Sequence, residues 1–315
     1  MRRLAILLVA CAAGGCSAVS DDAQRSSLAA LDTREPTPAG GPEPLPATRT
    51  CETDPFGSLP PAARTTPRDR FMRRIVERGY LVAGVDQNTL GLGYFNPVTT
   101  RMEGFDIDLV RAVSAAIFGA PRVRYRAIST KQRESVIDSG DVDIVASAFS
   151  ITCPRKRRVA FSSVYYRARQ RLLVPVASRV RGLSDLRGRR VCATRGSTSI
   201  ARLEGTGVEP FGVDLRSDCL VRLQEGEVAA ITSDDAILLG FKRQDPQTKI
   251  VGPCLSLERY GLAVNRAHRG FLRFVNGVLA RLRRTGALER IRERWLSGLP
   301  GLPGDASAAS CERRR

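Results

Sequence analysis

Histidine is almost missing: His268 is the only one in 315 residues. A His-based catalytic triad or metal cluster is therefore nearly excluded. Lysine is scarce too, with only Lys131, Lys156, Lys242 and Lys249, so arginine carries the net charge of +18. Aromatic residues make up 6% of the chain, the basic residues are scattered, and no nucleic-acid motif is present. That argues against nucleic acid as a partner. The eight cysteines form no CxxC pair, which argues against zinc. Past its start, the chain has no run near the roughly 18 apolar residues of a membrane helix.

The start is different. Arg2 and Arg3 precede the apolar stretch 4–13, and Gly14-Gly15-Cys16 follows. A charged region, a short apolar region and small residues before a cysteine read as a lipoprotein signal, 1–16, with Cys16 as the lipid acceptor. Cys11, after Leu8-Val9-Ala10, fits the acceptor pattern by residue type but leaves a very short apolar region. Residues 17–66 are rich in Pro, Ala, Ser, Thr and Gly, and read as a flexible spacer. The net charge stays strongly positive after loss of the signal, as expected for a chain near anionic lipid or cell wall.

From residue 67 on, strand and helix signals alternate. Strands are expected at 80–85, 123–126 and 142–146, with helices between them. A second unit repeats the rhythm with strands at 190–193, 229–232 and 249–251. Alternation of this kind argues for parallel strands with crossover helices. Apolar segments 170–176 and 260–264 flank the second unit and read as a hinge. The organisation expected is lobe 1 at 67–169, hinge and lobe 2 at 170–255, the rest of lobe 1 at 256–299, and a tail at 300–315. The fold class is α/β, two-lobed, with a hinge of two crossing strands.

Four segments hold candidate binding chemistry. Ser150, Thr152 and Arg155 follow a buried strand, and a guanidinium with nearby hydroxyls suits a carboxylate; a solvated basic turn is the plainer reading. Gly196-Ser197-Thr198-Ser199 opens a helix, where backbone N–H groups attract an anion or the serine simply caps the helix. Asp234-Asp235, after a strand, offers a counter-charge for an ammonium group, or a helix cap. Asp86-Gln87-Asn88 ends the first strand, where open α/β sheets place ligands, or is a polar loop. Together a carboxylate clamp, an anion-attracting helix start and an acid match a zwitterion.

At this point the sequence resembles the polar amino-acid binding proteins of bacterial ABC importers, and among them the glutamate- and glutamine-binding lipoproteins of actinobacteria. The likeness rests on Gly104-Phe105-Asp106-Ile107-Asp108-Leu109, Gly140-Asp141-Val142-Asp143, Phe149-Ser150-Ile151-Thr152, Gly196-Ser197-Thr198-Ser199, Thr232-Ser233-Asp234-Asp235 and Tyr260-Gly261-Leu262-Ala263-Val264. It spans about 67–299 and implies the two-lobed periplasmic-binding-protein-like fold. It implies that Arg155 clamps the ligand α-carboxylate, with Ser150 beside it and Thr152 next in the motif. It implies that the Ala148 carbonyl and Asp234 meet the α-ammonium, and that the Thr198 N–H touches the carboxylate. Asp86 takes the position that faces the ligand side chain. Ala148 stands where many relatives have glycine. The loop after Asp86 lacks the phenylalanine of glutamine binders and looks more like the glutamate type. Arg195, before the Gly196 turn, is the candidate for a side-chain carboxylate.

The resemblance also bears on the six cysteines outside the signal. Related glutamate binders carry the equivalents of Cys192 and Cys219, which are expected to pair. Cys51 is expected to pair with Cys153, leaving Cys254 and Cys311 for each other. The function implied is capture of a free polar amino acid, glutamate first and aspartate, asparagine or glutamine after it, with no catalysis and no cofactor. The partner is an ABC permease or, alternatively, a membrane sensor protein. A dehydratase on the same fold would need a general acid in the cleft, and only Glu103 and Glu134 lie near the first-lobe motifs.

Overall fold

The computed structural model describes residues 51, 54–62, 69–299 and 311. Cys16, Cys11, the rest of the signal and most of the spacer lie outside them. The first helix, Arg70–Arg78, starts on Asp69, whose carboxylate accepts the Met72 N–H at 2.7 Å. It stops at Gly79, where φ is +83°, a conformation that costs glycine little.

Strand β1 (Leu81–Val85) follows, then three short strands: β2 (Asn88–Thr89), β3 (Gly93–Asn96) and β4 (Arg101–Glu103). Helix Phe105–Phe118 leads to β5 (Val123–Ala127), and β6 (Ile144–Ala146) and β7 (Ala160–Phe161) complete this part. The chain then runs through β8 (Tyr166–Pro175), β9 (Arg190–Thr194), β10 (Glu209–Val213), β11 (Ala230–Asp234) and β12 (Thr248–Tyr260), and returns with β13 (Ala263–Val264). Two five-stranded sheets result, ordered β5-β1-β6-β13-β7 and β10-β9-β11-β8-β12. In the first, β1 lies parallel to β5 and β6. In the second, β9 lies parallel to β10 and β11. These are the parallel units that the sequence rhythm implied. The strands that carry the chain between sheets enter antiparallel: β8 against β11 and β12, and β13 against β6 and β7.

Three local features stand out. The strand expected at 249–251 extends much further, and the one expected at 260–264 is cut to β13. Thus β12 is one long strand along β8, with an irregular register between Val251 and Ser256. Gly252, at φ +81°, and Pro253 sit in that irregularity; proline has no N–H to give the ladder. Asp106 lies in the first turn of the helix Phe105–Phe118 but does not cap it. It is fully buried instead and accepts from Ala148 N–H at 2.8 Å and Tyr165 O–H at 2.7 Å. The N-cap is Gly104, at φ +129°, where a Cβ would stand 2.2 Å from the Leu92 carbonyl oxygen. His268, half-buried, stacks on Phe71 with ring centroids 3.6 Å apart.

The core faces follow the expected periodicity. Leu109, Val110 and Val113 are buried under the first sheet, as are Phe271, Phe274, Val275 and Val278 of helix Arg269–Arg284. Trp295, on the last helix, donates to Asp108 at 2.6 Å. All three cysteine pairs form: Cys51–Cys153, Cys192–Cys219 and Cys254–Cys311, with Cα atoms 5.7, 5.6 and 5.4 Å apart. The Cys192–Cys219 bridge ties β9 to helix Arg216–Gln224 and is buried at both ends. Its residues are 27 apart, so cross-linking the unfolded chain stabilises the fold by about 3–4 kcal/mol in the loop-entropy model. Replacing both cysteines with alanine is expected to lower stability by about that much in urea unfolding followed by circular dichroism. A loss under about 1 kcal/mol would show that the bridge constrains little.

Candidate functional site

The facing ends of the two sheets close on a narrow cavity with room for about 20 Å³. Of the expected binding residues it is lined by Ala148, Ser150, Arg155, Thr198 and Asp234. Arg133 and Arg216, which the sequence reading missed, line it as well.

Arg155 sits on the four-residue helical turn Cys153–Lys156, entered by Thr152 as N-cap. The guanidinium donates to the Ser150 carbonyl at 2.8 Å and, from the opposite lobe, to the Gly196 carbonyl at 2.9 Å. Its Nε is 3.9 Å from Glu134. Thr152 thus serves the turn itself, its Oγ1 accepting the Arg155 N–H at 3.4 Å. Arg133, fully enclosed, donates to the carbonyls of Thr130, Ser147, Ala148 and Gly196. Both guanidiniums rest on the Phe149 ring, 4.3 and 5.0 Å from its centroid, a cation–π arrangement that fixes their planes. Burial pushes the Arg133 pKa well below its usual value, and repulsion from Arg155 and Arg216 lowers it further. Burial lowers that of Arg155 too. A cluster of cations at this density favours an anion.

Ala148 has φ +43°, a left-handed conformation that costs a non-glycine residue on the order of 1–2 kcal/mol. Its N–H is held by Asp106 and its carbonyl by Arg133. Glycine would take this conformation at little cost.

Asp234 ends β11 at the N-cap position of helix Asp235–Gln244, yet its side chain makes no capping bond. Its Oδ2 accepts from the Tyr260 hydroxyl. Its Oδ1 is buried and has no hydrogen-bond partner among the described residues. Burial, then repulsion from Glu258, pushes its pKa up to about 8. A buried acceptor without a partner carries a desolvation penalty, and a cationic donor brought into the cavity removes it. Thr198, on the short helix Thr198–Ala201 behind N-cap Ser197, donates its hydroxyl to Glu258 at 2.9 Å.

Asp86 and Arg195 do not line the cavity. Asp86 is buried beside it and forms an ion pair with Arg216 at 2.6 Å, across the two lobes. Arg195 turns outward: its side chain is about half exposed, lies against Gly212, and comes within 3.8 Å of Asp214. Thr194, one residue earlier, lines the cavity. Successive side chains leaving a strand point to opposite faces, so chain proximity to the Gly196 turn did not bring Arg195 inward.

A two-lobed α/β protein with an enclosed polar cavity at the facing ends of its sheets belongs to the class that closes around small solutes. The profile of the bacterial extracellular solute-binding proteins, family 3, matches residues 81–298, and the chain belongs to that family. It is 28% identical over 248 residues to the ABC transporter glutamine-binding protein GlnH of Bacillus subtilis, covering 78% of this chain and 90% of that one. It is 30% identical over 259 residues to the glutamate-binding protein GluB of Corynebacterium glutamicum, covering 76% and 87%. Among solved structures, an ancestral arginine-binding protein bound to glutamine matches with a TM-score of 0.65 and 31% identity, over 70% of this chain and 99% of that one.

Proposed function

We propose that the protein captures a free polar amino acid, glutamate first, outside the cytoplasm and presents it to an ABC importer. Aspartate, asparagine and glutamine are its nearest competitors. The observation that carries this reading is the unpartnered Oδ1 of Asp234 in the same cavity as the Arg155 guanidinium. An α-ammonium and an α-carboxylate satisfy the two at once. Arg155 takes the carboxylate in place of the Gly196 carbonyl, with Ser150 and the Thr198 backbone beside it. Asp234 takes the ammonium, with the Ala148 carbonyl as a second acceptor. The ligand touches both lobes, so it favours the closed form by its differential affinity. Relatives named for glutamate and glutamine binding and for ABC transport support the ligand class and the partner. Lipidation of Cys16 would hold the protein on the outer face of the membrane; the family is extracellular, and no described helix is long and apolar enough to cross a bilayer.

A thermal-shift screen of amino acids on the mature protein tests the reading. Glutamate is expected to give the largest rise in Tm, corresponding to about 2.7 kcal/mol at a hundredfold excess over Kd. Stabilisation only by sugars, peptides or basic amino acids would sink it.

A further inference from the structure

We propose that Arg216 is the residue that selects an acidic side chain, and that Asp86 positions it. This rests on the amino-acid reading of the cavity.

Four charged groups line the cavity: Arg133, Arg155, Arg216 and Asp234. Asp234 is committed to the ammonium and Arg155 to the α-carboxylate. Arg133 is occupied by four backbone carbonyls, so it builds the cavity wall. Arg216 is 5% exposed and makes three bonds: to Asp86 Oδ2 at 2.6 Å, to the Ser147 carbonyl at 2.9 Å and to Ser147 Oγ at 3.4 Å. A guanidinium has five N–H donors. Two of those on Arg216 have no partner among the described residues.

Its position fits a second carboxylate. Arg216 is anchored at Ser147 and Arg155 at Ser150, both on the segment that leaves β6. Three residue steps separate the two anchors, at most about 10 Å of chain. A dicarboxylic amino acid held by one carboxylate at Arg155 then directs the other toward Arg216. Asp86 is itself fixed by the Asn88 N–H at 2.7 Å and the Thr89 hydroxyl at 3.0 Å, so it holds the guanidinium plane. A cationic side chain would meet three guanidiniums, and an amide would offer the remaining Arg216 N–H groups a neutral oxygen in place of a charged one. The order of preference follows as glutamate and aspartate, then the amides, with arginine and lysine rejected.

Calorimetric titration of the full mature chain with glutamate and with glutamine tests this on the parent, Arg216→Met and Asp86→Asn/Arg216→Met. The double variant guards against a single variant that fails to fold because Asp86 is left buried and unpaired. The parent is expected to prefer glutamate. Loss of Arg216 should weaken glutamate by at least roughly thirtyfold and glutamine by under about fivefold, removing the preference. Equal losses for both ligands would assign Arg216 to lobe closure alone, and unchanged glutamate binding or a parent that prefers glutamine would equally overturn the proposal. A parent that binds no amino acid defeats the function reading as well, which separates the two failures.

Discussion

Arg155→Ala is expected to weaken amino-acid binding at least tens of times while the protein stays folded. A carboxylate drawn into the closed cavity loses its water, and the guanidinium returns two charge-assisted bonds and the opposite charge together. Removing one partner of a buried, hydrogen-bonded charge pair costs about 2–5 kcal/mol. Arg155→Lys should also lose strongly, because an ammonium cannot span the Ser150 carbonyl, the Gly196 side of the cleft and the ligand as a planar fork does. The fold should persist, since Arg155 lies at a four-residue turn whose cap, Thr152, and disulfide, Cys51–Cys153, do not depend on the guanidinium. Arg157 and Arg158, two and three residues on, serve as controls whose alanine variants should bind nearly normally. Calorimetry on the four variants decides it: a folded Arg155→Ala protein with parental affinity means the carboxylate sits elsewhere.

The second large effect is a proton. The Asp234 carboxyl, pushed up to about 8 by burial and by Glu258, is mostly protonated near pH 7 in the free protein. Its pKa in the fold exceeds the ordinary carboxylate value. Its contribution to stability is therefore full below about 4 and is lost as pH rises through about 8. An ammonium ligand favours the carboxylate, so binding near pH 7 should release close to one proton. Affinity should climb from pH 6 to 8 by up to about tenfold per unit and then level off. The release is read from the dependence of the binding enthalpy on the ionisation enthalpy of the buffer. Asp234→Asn should abolish the release and weaken binding by tens of times or more. Asp235, buried and pushed up to about 6, leaves a smaller pH dependence of stability at lower pH in that variant. A parent whose binding enthalpy is the same in phosphate and Tris would contradict the ammonium assignment.

Much of this site was legible in the sequence because its elements are local. Ser150 and Arg155 lie five residues apart at the end of one strand, and Asp234 ends another, where short-range pattern rules apply. What stayed hidden was tertiary. Arg133 reads as one more cation on a short helical segment, and only folding sets it on Phe149 and against Gly196, 63 residues away. Arg216 meets Asp86 across 130 residues, and nothing in its neighbourhood distinguishes it from dozens of surface arginines. Arg195 was misread for the converse reason: it is next to the right turn in the chain but on the wrong side of it. The role of Asp106 was hidden in the same way, because its partners Ala148 and Tyr165 are 42 and 59 residues on. The two-sheet plan was readable from alternation. The single long β12 was not, because its glycine and proline irregularity breaks the period that would announce one strand.

The Cys51–Cys153 bridge gives the molecule a mechanical property. The chain that precedes the fold is fastened at Cys153, two residues before Arg155, and the same turn is clasped again where Lys156 Nζ reaches the carbonyls of Pro55 and Gly57. Any pull on the N-terminal segment is therefore delivered to the wall of the cleft and bypasses helix Arg70–Arg78. A tether on that segment would load the first lobe beside Arg155, at the mouth of the cleft.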